Sequence, residues 1–309
     1  MNGGFLVMFK RVFLFVLVNI LVVITITASL SIFGVRPYLT KQGINLTALV
    51  IFCSVIGFGG AFISLMISRW VAKFIYRIYI IDPQSPQNSQ EAFLIKTVYR
   101  FAQDCGIRTM PEVGIYNSPE VNAFATGATK NSSLVAVSSG LLDSMESIAI
   151  EGVLAHEVSH ISNGDMVTMT LLQGIINTFV MVFARIAAWV LANALRSRDS
   201  DEISAPPYFL NAILVFIFEI FLSILGSIIV AFFSRIREFK ADEGGASLAG
   251  THKMIRALQS LQTTLKRLDT SHSSIATLKI SGKPSSFAKL FSTHPDLEER
   301  IQHLRELEK

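Results

Sequence analysis

Four stretches of this chain are too long and too free of charge for the core of a water-soluble domain: 12–33 and 42–68 carry no charged residue, 166–195 carries only Arg185, and 208–234 only Glu219. About 20 residues at about 1.5 Å rise cross the hydrocarbon of a bilayer. Each backbone N–H and C=O there must be paired inside the segment, so such stretches are expected to be helices. The rest of the chain is polar, so the overall 51% hydrophobic and 16% charged residues average two different environments. The expected fold is an integral membrane, mainly α protein with four transmembrane helices and a water-exposed α+β domain.

These segments divide the chain into four parts. Residues 1–80 form an N-terminal hairpin with helices at about 12–33 and 44–67, and 81–165 the first water-exposed part. Residues 166–234 form a second hairpin with helices at about 166–195 and 208–233, and 235–309 the second water-exposed part. The first run follows Lys10 and Arg11, is longer than the apolar core of a cleaved signal peptide and lacks a small-x-small site at its end, so it reads as retained. Gly57, Gly59 and Gly60 in the second run allow a neighbouring helix to approach closely. Asp82-Pro83-Gln84-Ser85-Pro86 then breaks the pattern, Leu94, Val98, Phe101 and Cys105 recur at helical spacing, and 112–116 and 134–137 read as short strands. The stretch 270–286, rich in Ser and Thr, reads as a loop. Arg185 and Glu219 fall at similar depth in the second hairpin, and a lone central charge costs about 2.5–3.5 kcal/mol, so the two are expected to pair.

Basic residues close to the helix ends number eight on one side (Lys10, Arg11, Arg69, Lys73, Arg77, Arg235, Arg237 and Lys240) and four on the other. That bias places both termini and both water-exposed parts in the cytoplasm. The two cysteines, Cys53 and Cys105, fit a reducing compartment and cannot build a cysteine metal site. A net charge of +4 is accounted for by topology and attraction to anionic lipid, without nucleic acid. The glycine clusters lack the Lys-Ser/Thr of a phosphate loop, so no nucleotide is expected.

The chemistry is carried by His156-Glu157-Val158-Ser159-His160, an H-E-x-x-H pattern on a strongly helical stretch. Residues four apart share one helix face, so both imidazoles can reach one zinc while Glu157 reaches the water to be activated. The flanking Glu146, Glu151 and Asp165 suit a helix in water rather than in lipid, and Asn163 and Met166 stand where a metzincin needs Gly and His. A hydrolytic zinc site needs a third protein ligand and an open position. Glu238 and Asp242 lie one turn apart, so that one can ligate while the other orients a histidine.

With these residues the chain resembles the HtpX-type membrane zinc metalloproteases, gluzincins related to the CAAX prenyl proteases. The resemblance covers nearly the whole chain. It rests on the order of the four apolar segments, on Asn-Ala-Phe-Ala-Thr-Gly at 122–127, on the H-E-x-x-H helix, on Arg-Glu-Phe-Lys-Ala-Asp at 237–242 and on Ser-Thr-His-Pro at 292–295. It implies a zincin-type metalloendopeptidase in which His156, His160 and Glu238 hold one Zn2+, Glu157 is the general base and Asp242 supports a ligand from behind. It further implies a multi-pass protein of the bacterial inner membrane, acting in stress response and membrane-protein quality control. Its substrates would be unfolded, damaged or misassembled membrane proteins, and the chain itself, cut on the cytoplasmic side without ATP. Family members often carry a second proline after His-Pro, where this chain has Asp296.

Asn122, Ala123 and Phe124 are candidates to border the substrate cleft, where a peptide would add as a strand to a sheet edge beside 134–137. His294 is a candidate hydrogen-bond donor to the tetrahedral oxyanion, with packing or capping before a helix at 296–305 as the other reading. His252, His272 and His303 read as solvated. Two other functions fit parts of the pattern, a dedicated processing protease of the prenyl type and a non-catalytic zinc-stabilised scaffold or holdase. Glu157 argues against the latter, since a purely structural site has no need of a carboxylate there.

Overall fold

The computed structural model describes residues 39–40, 43–195, 208–271 and 290–308. The expected first helix at 12–33, His272 and most of the expected loop at 270–286 lie outside the described residues. Eight helices are described: α1 (Leu46–Tyr76), α2 (Ser89–Asp104), α3 (Ser139–Ser144), α4 (Ser147–Asn163), α5 (Asp165–Ala194), α6 (Tyr208–Ala249), α7 (Thr251–Ser271) and α8 (Leu297–Leu307). A four-stranded sheet contains β1 (Tyr79–Ile80), β2 (Glu112–Tyr116), β3 (Ala123–Thr129) and β4 (Ser132–Ser138).

Of the four expected membrane helices, three are described: α1, α5 and α6 are long and apolar enough to cross a membrane. Two of them outrun their expected ends. α1 continues from the apolar run to Tyr76, where Arg77 takes the left-handed conformation (φ 49°) and the Ile78 N–H donates back to the Lys73 carbonyl at 3.2 Å. α6 does not stop near 233 but persists as one helix of 42 residues. Charged side chains from Arg235 onward change its surroundings without interrupting its backbone ladder, because no proline follows.

The chain divides into two compact units, Met1–Ser64 with Thr170–Ser227 and Leu65–Met169 with Ile228–Lys309. In the first unit, small side chains such as Ala184, Ala188 and Ala192 are buried, while Phe179 and Phe216 are exposed, as suits helices whose outer solvent is lipid. A Cβ on Gly57 would lie 2.6 Å from Thr178 Oγ1, so this glycine does admit a neighbouring helix, here α5. Arg185 pairs with Glu219 as expected, Nη1 to Oε1 at 2.7 Å. The same nitrogen donates to the Met181 carbonyl at 3.0 Å, and the guanidinium lies 5.7 Å from the centre of the Phe52 ring.

The second unit is the α+β part. Its sheet runs β1-β2-β4-β3, with β2 parallel to β4 and the outer strands antiparallel to their neighbours, which leaves β3 at an edge. Strand alternation sends Val135 and Val137 of β4 into the main core and Leu134 and Ala136 into a smaller cluster with Tyr116, Ala72 and Ile78. The main core joins Leu94, Val98 and Phe101 of α2 to Leu154 and Val158 of α4, Met254 and Leu258 of α7, and Ile301 and Leu304 of α8. α2 starts at Asn88, whose side chain accepts from the Glu91 N–H at 2.8 Å while Glu91 accepts from the Gln87 N–H at 2.8 Å.

α4, the H-E-x-x-H helix, is held centrally and lies hard against α7. A Cβ on Gly152 would come within 2.4 Å of the Lys253 carbonyl oxygen and 2.9 Å of the Ala257 Cβ. Glu151 beside it accepts from Lys253 Nζ at 2.5 Å and Arg100 Nη2 at 3.0 Å. Burial works against its charge, but the two cations outweigh it and hold the carboxyl below the ordinary glutamate range.

Two outcomes follow for the purified protein. Gly152→Ala should destabilise by about 1–3 kcal/mol in denaturant unfolding, because backbone rather than a flexible side chain must yield. Glu151→Gln should cost only about 0.5–1 kcal/mol at neutral pH, since the pair is partly screened by solvent. As the folded-state pKa is depressed, that difference is full above the ordinary value of 4.5 and closes as the pH falls below it, which a series of melts at stepped pH will report.

Candidate metal centre

The site begins with two residues one helical turn apart on α4. His156 and His160 turn their Nε2 atoms toward each other at 3.1 Å, with ring planes 83° apart. Two imidazole nitrogens are held this way with their lone pairs converging only if a proton or a cation sits between them. Their outward Nδ1 atoms are both taken by carboxylates, His156 by Asp242 at 3.0 Å and His160 by Asp165 at 2.5 Å. Carboxylates in these positions select the tautomer that leaves both Nε2 atoms free to ligate.

The third group comes from α6. Glu238 Oε1 lies 3.4 Å from His160 Nε2, and Oε2 lies 3.6 Å from His156 Nε2. One atom each from His156, His160 and Glu238 can be chosen so that all lie within 4.8 Å of one another. Glu238 Oε2 is buried, and no donor among the described residues makes a hydrogen bond of proper geometry to it. A buried carboxylate oxygen in that condition, beside two converging imidazole nitrogens, fits a divalent metal ion, and nitrogen and oxygen donors of this kind suit zinc. α6 reaches this position because a Cβ on Gly244 would meet Ser159 Oγ at 2.1 Å, so only glycine lets α6 lie this close to α4.

Asp242, placed by the sequence as a supporting group, is fully buried one turn beyond Glu238. Its carboxylate is gripped by Arg300 of α8 in a two-pronged contact, Nε to Oδ2 at 2.7 Å and Nη2 to Oδ1 at 2.6 Å. Arg300 also lies 3.3 Å from Glu238 Oε2 through Nη1. The field around the histidines is therefore strongly negative. Burial opposes a charge on His160, yet Asp165 and Glu238 outweigh it and push its pKa up to about 9, and His156 is raised in the same way by Asp242 and Glu238.

Beside these groups opens a cleft of about 1070 Å³. His156, Glu157, Glu238 and His294 line one part of it, Asn122 and Ala123 another, and Leu258 and Leu261 of α7 an apolar wall. Two of the three cleft candidates are thus in place. Phe124 is not, because the next residue along a strand turns to the opposite face, where its ring meets Tyr76 and Tyr116 at 5.3 and 5.7 Å. Most of the segment 122–127 belongs to β3. His294 is 68% exposed, with Nδ1 2.8 Å from Glu238 Oε2. The residue that caps α8 is Asp296, which accepts from the Glu298 N–H at 3.0 Å. His252 is exposed as expected, whereas His303 is only partly so, with Nε2 2.8 Å from Glu243 and its ring against Phe239.

Asp165 and Arg300 are the groups that sequence reasoning did not place. Asp165 was legible only as an acidic flank, and its contact depends on the turn at Gly164, which has φ 70° and ψ 30°. Arg300 lies 58 residues from the carboxylate it binds, on a helix with several other charges, and nothing local distinguishes it.

The profile of peptidase family M48 matches residues 88–308. The chain is 53% identical over 301 residues to a protein named Protease HtpX homolog from Bacillus licheniformis, covering 96% of this chain and 98% of that one. It is 49% identical over 296 residues to Protease HtpX from Aeromonas hydrophila, covering 96% and 99%. Among solved structures, the crystal structure of S. mikatae Ste24p superposes with a TM-score of 0.63 over 96% of this chain at 18% identity, a likeness of fold. This chain spans 64% of the length of that protein.

Removing Arg300 should be costly in a way its position alone predicts. Arg300→Met leaves Asp242 buried without its counter-charge, and a loss of about 3–5 kcal/mol is expected in denaturant unfolding of the detergent-solubilised protein. A loss similar to that of an exposed arginine, such as Arg256→Met, would mean that the pair carries no such charge balance.

Proposed function

The chain belongs to peptidase family M48 and is a membrane metalloprotease of the HtpX type, and from that premise we propose that it hydrolyses peptide bonds with one Zn2+ held by His156, His160 and Glu238. When bound, the metal would polarise the scissile carbonyl and make a water acidic enough to attack near neutral pH. The observation that carries this reading is the convergence of both Nε2 atoms and Glu238 on the cleft that Glu157 also lines.

The remaining work falls to the chain's own residues. Glu157 follows His156 on α4 and faces the same cleft, so its carboxylate takes the proton of the attacking water and later gives it to the leaving amine. The substrate is held extended, adding as a strand along the edge strand β3, with Asn122 and Ala123 at the end nearest the site. Asp242, fixed by Arg300, keeps His156 in the tautomer that ligates. His294 stands close enough to Glu238 to act on the reacting groups as a hydrogen-bond donor.

The same proposal extends to setting. With 12–33 counted, four helices cross the inner membrane of a bacterium, both termini and both water-exposed parts lie in the cytoplasm, and misfolded or damaged membrane proteins are cut there without ATP. The eight-to-four bias of basic residues supports that orientation, and the absence of any phosphate-binding loop in the sequence supports independence from nucleotide. The chain itself is counted among its substrates.

The test pairs two readouts on protein purified under chelation and then given zinc. Glu157→Ala should bind one zinc as the wild type does and cut an unfolded membrane protein about 100-fold more slowly or worse. His156→Ala and Glu238→Ala should lose metal and cleavage together. Zinc bound by wild type and Glu157→Ala with no cleavage by either would turn the reading to a scaffold, and cleavage confined to prenylated peptides would replace quality control by dedicated processing.

A further inference from the structure

Each of the two histidines is held from behind, but by carboxylates of different origin. Asp242 backs His156 from α6, one turn past the third ligand, whereas His160 is backed by Asp165, the first residue of α5. We infer that Asp165, tied down by Arg237, is the positioning residue of His160: it fixes the ring so that Nε2 faces the metal and makes that nitrogen a better donor. This inference rests on the metal centre proposed above.

The contact is built rather than incidental. In an unbroken helix a residue five places on would stand about 140° around the axis from His160, at roughly 100° per residue, and could not reach its ring. Gly164 breaks the helix with a single left-handed residue, its N–H still bonded to the Ile161 carbonyl at 3.1 Å, and α5 restarts at once. That abrupt change of direction brings the Asp165 carboxylate to 2.5 Å from His160 Nδ1, with Asp165 only 7% exposed.

Arg237 completes the arrangement. It is the residue before Glu238 on α6, its Nη1 donates to the Asp165 backbone carbonyl at 3.2 Å, and its Nε lies 3.9 Å from Oδ2. The residue behind the second histidine is thereby attached to the same turn of α6 that supplies the third ligand. A carboxylate behind the outer nitrogen of a ligating imidazole orients the ring and increases the donor strength of its other nitrogen.

The experiment is a zinc competition against a chromophoric chelator, on the full chain in detergent, with turnover measured separately. Asp165→Asn keeps the size, shape and helix-start preference of the side chain and removes its charge. It should bind zinc about 10- to 100-fold more weakly than wild type, with the metal-free protein still folded, as its cooperative melt will report. Arg237→Gln should weaken zinc binding less, and adding it to Asp165→Asn should weaken binding no further, because arginine acts through the aspartate. Glu146→Gln, which breaks a surface pair with Arg256 at 3.1 Å, should leave affinity as it was. Affinity of Asp165→Asn within about twofold of wild type would overturn the inference, since a residue that only shapes the turn gives that result. Failure of the wild type itself to bind zinc would be a different result, refuting the metal centre and the inference with it.

Discussion

The site depends on one buried charge balance. Three carboxylates, Glu238, Asp242 and Asp165, surround two imidazoles in a region where Asp242 is fully buried and Glu238 is 2% exposed. Such a concentration of negative charge out of water is tolerable only with compensation close by. Arg300 supplies part of it through two short contacts to Asp242 and one to Glu238, and a divalent cation between the histidines would supply the rest. A metal would suit the arrangement, since Glu238 Oε2 is buried without a hydrogen bond of proper geometry although His294 and Arg300 lie near it.

Long helices deliver these charges to their places. α6 runs from Tyr208 to Ala249, and its polar end carries Glu238 and Asp242 to the histidines of α4. Glycines set the spacing where helices meet, Gly152 between α4 and α7 and Gly244 between α6 and α4. A single added carbon would meet the Lys253 backbone at Gly152 and the buried Ser159 side chain, which sits next to His160 on α4, at Gly244.

What could be read from the sequence follows from how local each feature is. The H-E-x-x-H spacing, the one-turn separation of Glu238 and Asp242 and the strand Glu112–Tyr116 all depend on neighbours along the chain and stand where the pattern placed them, while the apolar runs 42–68, 166–195 and 208–234 are helical as expected, two of them with later ends. β3 was harder, because Ala123, Ala125 and Ala128 with Gly127 give it little strand character; its pairing with β4 makes it a strand. The direction of Phe124, offered with its two neighbours as bordering the cleft, was not legible for the same reason, since facing is defined only once the strand exists. Asp165 escaped notice because the one-residue turn at Gly164 decides its direction, and Arg300 because its partner lies 58 residues away.

The position of Arg300 along the chain has a consequence for biosynthesis. A ribosome working from the N-terminus makes both histidines, Glu238 and Asp242 well before α8, and domains fold as their parts emerge. Until α8 docks, Asp242 and Glu238 lack the counter-charge of Arg300, and burying them around α4 is costly. A nascent chain thus holds His156, Glu157, His160 and Glu238 before the arginine that balances their surroundings exists, so on the proposed reading the capacity to cut would arrive late, with the segment that bears it.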